Sequence, residues 1–114
     1  MAADNTVNLI INQKANFEVS FTIKENGSVK NLANHSVIAE YKTDYSALDS
    51  SAQSFTCNTQ ASNGIVTISL THSETANLIY GQKYYYDVVL INDSTSFRTR
   101  VVEGTIKVSP GVAI

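Results

Sequence analysis

Apolar residues recur at every second position along most of this chain, the period of a strand with one buried face. In FEVSFTIKE (17–25), Phe17, Val19, Phe21 and Ile23 alternate with Glu18, Ser20, Thr22 and Lys24. SVIAEYKT (36–43) sets Val37, Ala39 and Tyr41 on one face and Ile38, Glu40 and Lys42 on the other. Phe55 and Cys57 share a face, as do Val66, Ile68 and Leu70 in IVTISL (65–70). VNLII (7–11), KYYYDVVLI (83–91), SFRTRVV (96–102) and GTIKVS (104–109) complete the strand-like runs.

Turn chemistry separates them. Asn26 with Gly27, and Asn63 with Gly64, are pairs that accept positive φ and reverse the chain. The second pair predicts a hairpin between the runs at 54–59 and 65–70, and NDST (92–95) predicts another. DYSALDSSAQ (44–53) is polar and reads as a loop. One stretch is helical: Thr71 and Glu74 have capping-box spacing, Ala76, Leu78 and Ile79 follow, and Gly81 can end the turn. A phase break at VVEGTIK (101–107) calls for a bulge, expected at Glu103 and Gly104, with glycine taking unusual backbone angles. About seven strands at this spacing, with one short helical turn before the sixth, predict an all-β, immunoglobulin-like antiparallel β-sandwich. A Greek-key barrel is the alternative. Residues 7–109 form the expected domain, with arms at 1–6 and 110–114.

The tyrosine run raises the functional question. Strand geometry puts Tyr84, Tyr86, Val88 and Leu90 on one face, large and uncharged, and therefore inward. A tyrosine entering a strand just after a helical turn also suits a tyrosine corner. Tyr85, Asp87, Val89 and Ile91 then face outward. On the next strand Phe97, Thr99 and Val101 are expected inside, leaving Arg98, Arg100 and Val102 beside that outer set. Asp87 can pair across the ladder with Arg98 or Arg100. Tyr85, Asp87, Val89, Ile91, Arg98, Arg100 and Val102 are thus the candidate interface, a mixture of Tyr, Val, Ile and Arg suited to a protein partner.

Composition narrows the alternatives. The chain has 114 residues, 43% hydrophobic and 16% charged, with a net charge of -2, and its polarity comes largely from Ser, Thr and Asn. No basic stripe points to nucleic acid. One cysteine, Cys57, excludes an intrachain disulfide and favours folding in a reducing compartment. MAADNTVN (1–8) lacks the pattern of a signal peptide, and no apolar run is long enough to span a membrane. His35 and His72 have no partners at metal-ligand spacing, Cys57 has no histidine partner in the sequence, and the ten acids are scattered. The expectation is no enzyme, no catalytic residue, no metal and no cofactor.

The order of these segments carries a resemblance. The alternating strand from Phe17 to Ile23 is followed by NGSVKNLANHSVIAEYK, NGIVTISLTHSETANL, GQKYYYDVVL and RTRVVEGTIKVSPGV. This resembles the small immunoglobulin-like virion structural proteins of tailed bacteriophages, especially marine contractile-tailed phages. It is more distantly similar to the N-terminal domain of phage baseplate upper proteins. The resemblance covers residues 7–112. It is most specific at Gly81 with Tyr84, Tyr86 and Asp87, and at Glu103 and Gly104 with Val108, Ser109 and Pro110. Asn31, Leu32, Ala33 and Asn34 stand where the related turn has Asp-Leu-Thr-Gly. The resemblance implies no catalytic residues but an assembly role in a tail, baseplate, neck or capsid. Other virion proteins are the implied partners, in many copies, within a particle assembled in the host cytoplasm. The alternative is a host-adhesion module, in which an exposed tyrosine stacks on a surface glycan and Asn34, His35, Tyr45 and Asp49 supply polar contacts.

Overall fold

The computed structural model describes residues 5–44 and 52–110. Among them eleven strands run in order: β1 (Asn5–Thr6), β2 (Leu9–Asn12), β3 (Phe17–Thr22), β4 (Lys24–Glu25), β5 (Ser28–Val29), β6 (His35–Lys42), β7 (Gln53–Ser54), β8 (Thr56–Gln60), β9 (Ile65–Leu70), β10 (Tyr84–Asn92) and β11 (Arg98–Ser109). A one-turn helix, α1 (His72–Thr75), lies between β9 and β10.

The strands form an all-β sandwich, antiparallel except where β1 and β2 run parallel to β11. The larger sheet has the order β1-β11-β10-β6-β7, with β2 also on β11, and the smaller is β3-β9-β8. β4 and β5 form a separate two-stranded tongue, reversing at Asn26 (φ 55°) and Gly27 (φ 80°). Two consecutive positive φ values are what an Asn-Gly hairpin turn supplies at low cost. The expected hairpin between β8 and β9 is present, joined by a 3-10 turn over Ala61–Asn63 that ends at Gly64.

Alternation builds the core directly. Val66, Ile68 and Leu70 of β9 and Tyr84, Tyr86, Val88 and Leu90 of β10 are all buried, as the period-two pattern requires. Phe55 packs its ring 5.0 Å from that of Tyr41 and 6.2 Å from that of Tyr86, in the tilted and edge-on geometries aromatic pairs prefer. Tyr84 forms the expected corner, its hydroxyl accepting from the Ile79 N–H at 3.0 Å.

The helical turn is also where the sequence placed it. Thr71 Oγ1 accepts from Glu74 N–H and Glu74 Oε1 accepts from Thr71 N–H, completing the capping box. One turn cannot hold itself in water. Thr75, fully buried, donates from Oγ1 to the Ala15 carbonyl, and Gln13 Nε2 donates to Leu78 O, tying the segment to the link between β2 and β3. In the turn at 31–34, Asn31 Oδ1 accepts from Ala33 N–H and Asn34 takes φ 62°. The two asparagines thus make this turn, one by its side-chain acceptor and the other by accepting a left-handed backbone.

Five expectations change around β11. The bulge is at Val101, not at Glu103 and Gly104. The ladder passes from Val88↔Val102 to Val89↔Arg100, leaving Val101 unpaired. Both valines are then buried, at 4% and 0% exposure, so Val102 belongs to the core and not to the outer interface. Phe97, expected inside, precedes the strand and is 66% exposed. Asn5 and Thr6, assigned to an arm, pair in parallel with Val102 and Glu103. Finally, Gly104 has no positive φ; what it supplies is space. A Cβ there would collide with the Val7 carbonyl, lying 2.7 Å from its carbon.

That close approach exists because the Val7 carbonyl turns into the sandwich, where the Tyr86 hydroxyl donates to it at 2.7 Å. A Gly104→Ala substitution forces a methyl into that backbone contact, and overpacking of this kind costs about 1–3 kcal/mol or more. Tyr86→Phe leaves the Val7 carbonyl without its donor, at a cost of about 1–3 kcal/mol. Both variants are expected to lower the midpoint of urea unfolding, and Gly104→Ala also to speed amide exchange at Val7. An unchanged midpoint for Gly104→Ala would show that the crossing relaxes freely.

Candidate interaction face on the larger sheet

The pairing of β6, β10 and β11 fixes which outward side chains meet. Tyr85 lies between Lys42 and Thr105, Asp87 between Glu40 and Glu103, Val89 between Ile38 and Arg100, and Ile91 between Ser36 and Arg98. Four cross-strand rows result. Six of the seven candidate residues share this face, because β10 and the first part of β11 keep the expected phase. Val102 is lost from it because the bulge at Val101 reverses the phase, and Glu103 takes the outward position instead. Ile38, Glu40 and Lys42 also belong to the face. Their alternation was visible in the sequence, but their place beside β10 was not.

α1 does not cover these rows. It contacts β9 of the other sheet, and Glu74 lies with Tyr41 and Tyr84 at the end of the sandwich. Ile38 is 39% exposed, and Tyr85, Val89 and Ile91 are half-buried among their neighbours. Lys83 Nζ sits 5.3 Å from the centroid of the Tyr85 ring, within cation–π range.

The row Glu40, Asp87, Glu103 sets three carboxyls side by side, an arrangement that cross-strand electrostatics disfavours. Arg100 partly offsets it, with Nε 3.2 Å from Asp87 Oδ2 and Nη1 3.3 Å from Glu103 Oε2. Of the two arginines considered for Asp87, it is Arg100 that reaches it. Burial is nevertheless the largest influence on Asp87 and raises its pKa; Arg100 lowers it and Glu103 raises it further. Among the described residues no group of three His, Cys, Asp or Glu is placed to hold a metal ion.

The other chemical candidates are dispersed. Cys57 is half-buried opposite Ile68, and burial raises its thiol pKa, the reverse of an activated nucleophile. His35 bonds through Nδ1 with the Ala33 carbonyl at 2.9 Å, and His72 is exposed on α1 at the far end of the chain's fold. His35 lines a cleft of about 750 Å³ with Lys24, Asn92 and the exposed Phe97. Tyr45 and Asp49, named for the glycan alternative, lie outside the described residues.

No protein-family model matches this chain, and no curated protein matches it significantly.

The raised Asp87 pKa has a definite sign. The folded state holds the proton more tightly than the unfolded chain, so stability falls as pH rises from the ordinary value near 3.8 through the raised folded value. Asp87→Asn removes that segment of the pH profile. Its melting temperature is expected to gain on the parent's across this window and to stay level with it or above it at neutral pH. A variant clearly less stable than the parent at pH 7 would make the Arg100 ion pair, not desolvation, the dominant influence.

Proposed function

We propose that this protein is a non-enzymatic structural or accessory subunit of a tailed-phage particle. In this reading it is an immunoglobulin-like assembly module of the tail, baseplate or neck, or a decoration protein of the capsid. The outer face of the larger sheet is the surface that docks. The observation that carries the reading is the acidic row Glu40, Asp87 and Glu103, set between the apolar pair Ile38 and Val89 on one side and Tyr85 on the other. Such a row costs the free subunit stability, and a partner with a matching basic group relieves it. Apolar positions flanking it add buried area. Repeated over many copies in a symmetric particle, modest contacts of this kind sum to firm attachment. The resemblance over residues 7–112 supports the same role.

A second reading has one observation in its favour. The cleft between His35, Asn92 and the exposed ring of Phe97 combines polar groups with an aromatic surface, the combination sugar-binding sites use. In that case the module adheres to a host glycan, and a glycan array separates it from the first reading.

The main reading predicts that the protein is found by mass spectrometry in purified particles. Tyr85→Ala is expected to retain the native melting temperature to within a few degrees while its incorporation falls several-fold, since a central aromatic often dominates an interface. Absence from particles sinks the reading. Normal incorporation of a folded Tyr85→Ala protein removes the outer face from it.

A further inference from the structure

The smaller sheet ends at β3, which pairs with β9 on one side and, among the described residues, with no strand on the other. In many sandwiches of this type the first strand covers that edge; here β1 and β2 both join β11 in the opposite sheet. Register shows which groups are left over. Ile23 N–H donates to Gly64 O at 2.7 Å, in line with the pairing Thr22↔Ile65. Antiparallel ladders alternate bonded and non-bonded pairs, so Phe17, Val19 and Phe21 bond to β9. Glu18, Ser20 and Thr22 direct their N–H and C=O groups away from it. The 2.7 Å contact between the hydroxyls of Ser20 and Thr67 agrees, because side chains approach closest at non-bonded pairs.

The apolar side of the edge is also incomplete. Val66, Ile68 and Leu70 of the central strand are at most 3% exposed, while Phe17, Val19 and Phe21, their cross-strand partners, are only half-buried. Sheet edges are ordinarily protected by lysine, proline or a bulge. β3 has neither residue and a single charge, Glu18, and its ladder to β9 runs unbroken over six pairs.

We propose that β3 is a self-association edge, pairing antiparallel with β3 of a second copy about a two-fold axis at Ser20. The occupant is argued from the edge's own charges. Centred on Ser20, the pairing sets Glu18 opposite Thr22 of the other copy and draws it towards Lys24 of that copy, opposite in sign. Centred on Glu18, it would oppose two like charges, which is disfavoured. Centred on Thr22, it would run into the tongue of β4 and β5. The Ser20 register also continues the apolar row, with Val19 beside Phe21 of the second copy. Two three-stranded sheets become one of six strands, and the six edge donors and acceptors of each copy gain partners. This edge and the outer face lie on different sheets, so the inference does not rest on the virion reading.

Sedimentation velocity over a concentration series tests it on the full chain. The parent is expected to dimerise, and Ser20→Lys and Ser20→Glu, each opposing like charges on the axis, to weaken association by about tenfold or more. An equimolar mixture of the two variants is expected to restore a heterodimer, which also shows that both are folded. Amide exchange at Glu18, Ser20 and Thr22 is expected to slow as concentration rises. A parent that stays monomeric, variants that still dimerise or fail to recombine, or protection independent of concentration each overturn the proposal. Tyr85→Ala is expected to leave dimerisation unchanged, so failure here and failure of the outer-face reading are distinguishable.

Discussion

The larger sheet depends on one backbone carbonyl that points the wrong way for a strand. Val7 turns its C=O into the sandwich, and the Tyr86 hydroxyl meets it there. A part-buried carbonyl without a donor is costly, so the strand holds this course far more cheaply with that tyrosine than without it. The consequences spread outward. Gly104 must lack a side chain, because the carbonyl occupies its place. Asn8 then supplies the missing acceptor with its side chain, Oδ1 taking both the N–H and the hydroxyl of Thr105. Only with those three adjustments do β1 and β2 lie on β11 in one continuous register.

Much of this architecture was legible in the residues. Period-two alternation placed the inward sets of β3, β9 and β10, and Asn-Gly pairs placed two reversals. The capping box of Thr71 and Glu74 located the helical turn, and the tyrosine that follows it is indeed the corner. What the residues could not show was pairing. The phase break in VVEGTIK has more than one solution, and a bulge at Glu103 reads as well as one at Val101. The choice is made by the core, which gains two buried valines at Val101 and Val102 when the extra residue falls there. Gly104 illustrates the same limit. A glycine in a strand signals either an unusual dihedral or a close neighbour, and the neighbour was ninety-seven positions earlier.

The candidate face shows a similar division. Strand parity was enough to separate Tyr85 from Tyr84 and Tyr86 and to group it with Asp87, Val89 and Ile91. Parity says nothing of which strands lie alongside, so the acidic row formed with Glu40 and Glu103 was invisible until β6 and β11 were placed. That row changes the character of the surface. An apolar patch with arginines would be sticky in general, whereas three carboxyls around one guanidinium discriminate among partners by charge.

The parallel union of the first strand with the last carries a consequence for the order of events on the ribosome. β8 and β9, and then β10 and β11, are neighbours in sequence and can pair as they are made. β2 has no strand to join until β11 exists, since its sheet partners are Ile106 to Ser109. During synthesis, Leu9 and Ile11, both buried in the finished fold, therefore wait beside an incomplete sandwich until β11 has been made. Long-range pairing of this kind is slow to form and leaves apolar surface exposed in the interim. The same stitch that closes the larger sheet thus makes β2 the piece most in need of shelter before β11 is made.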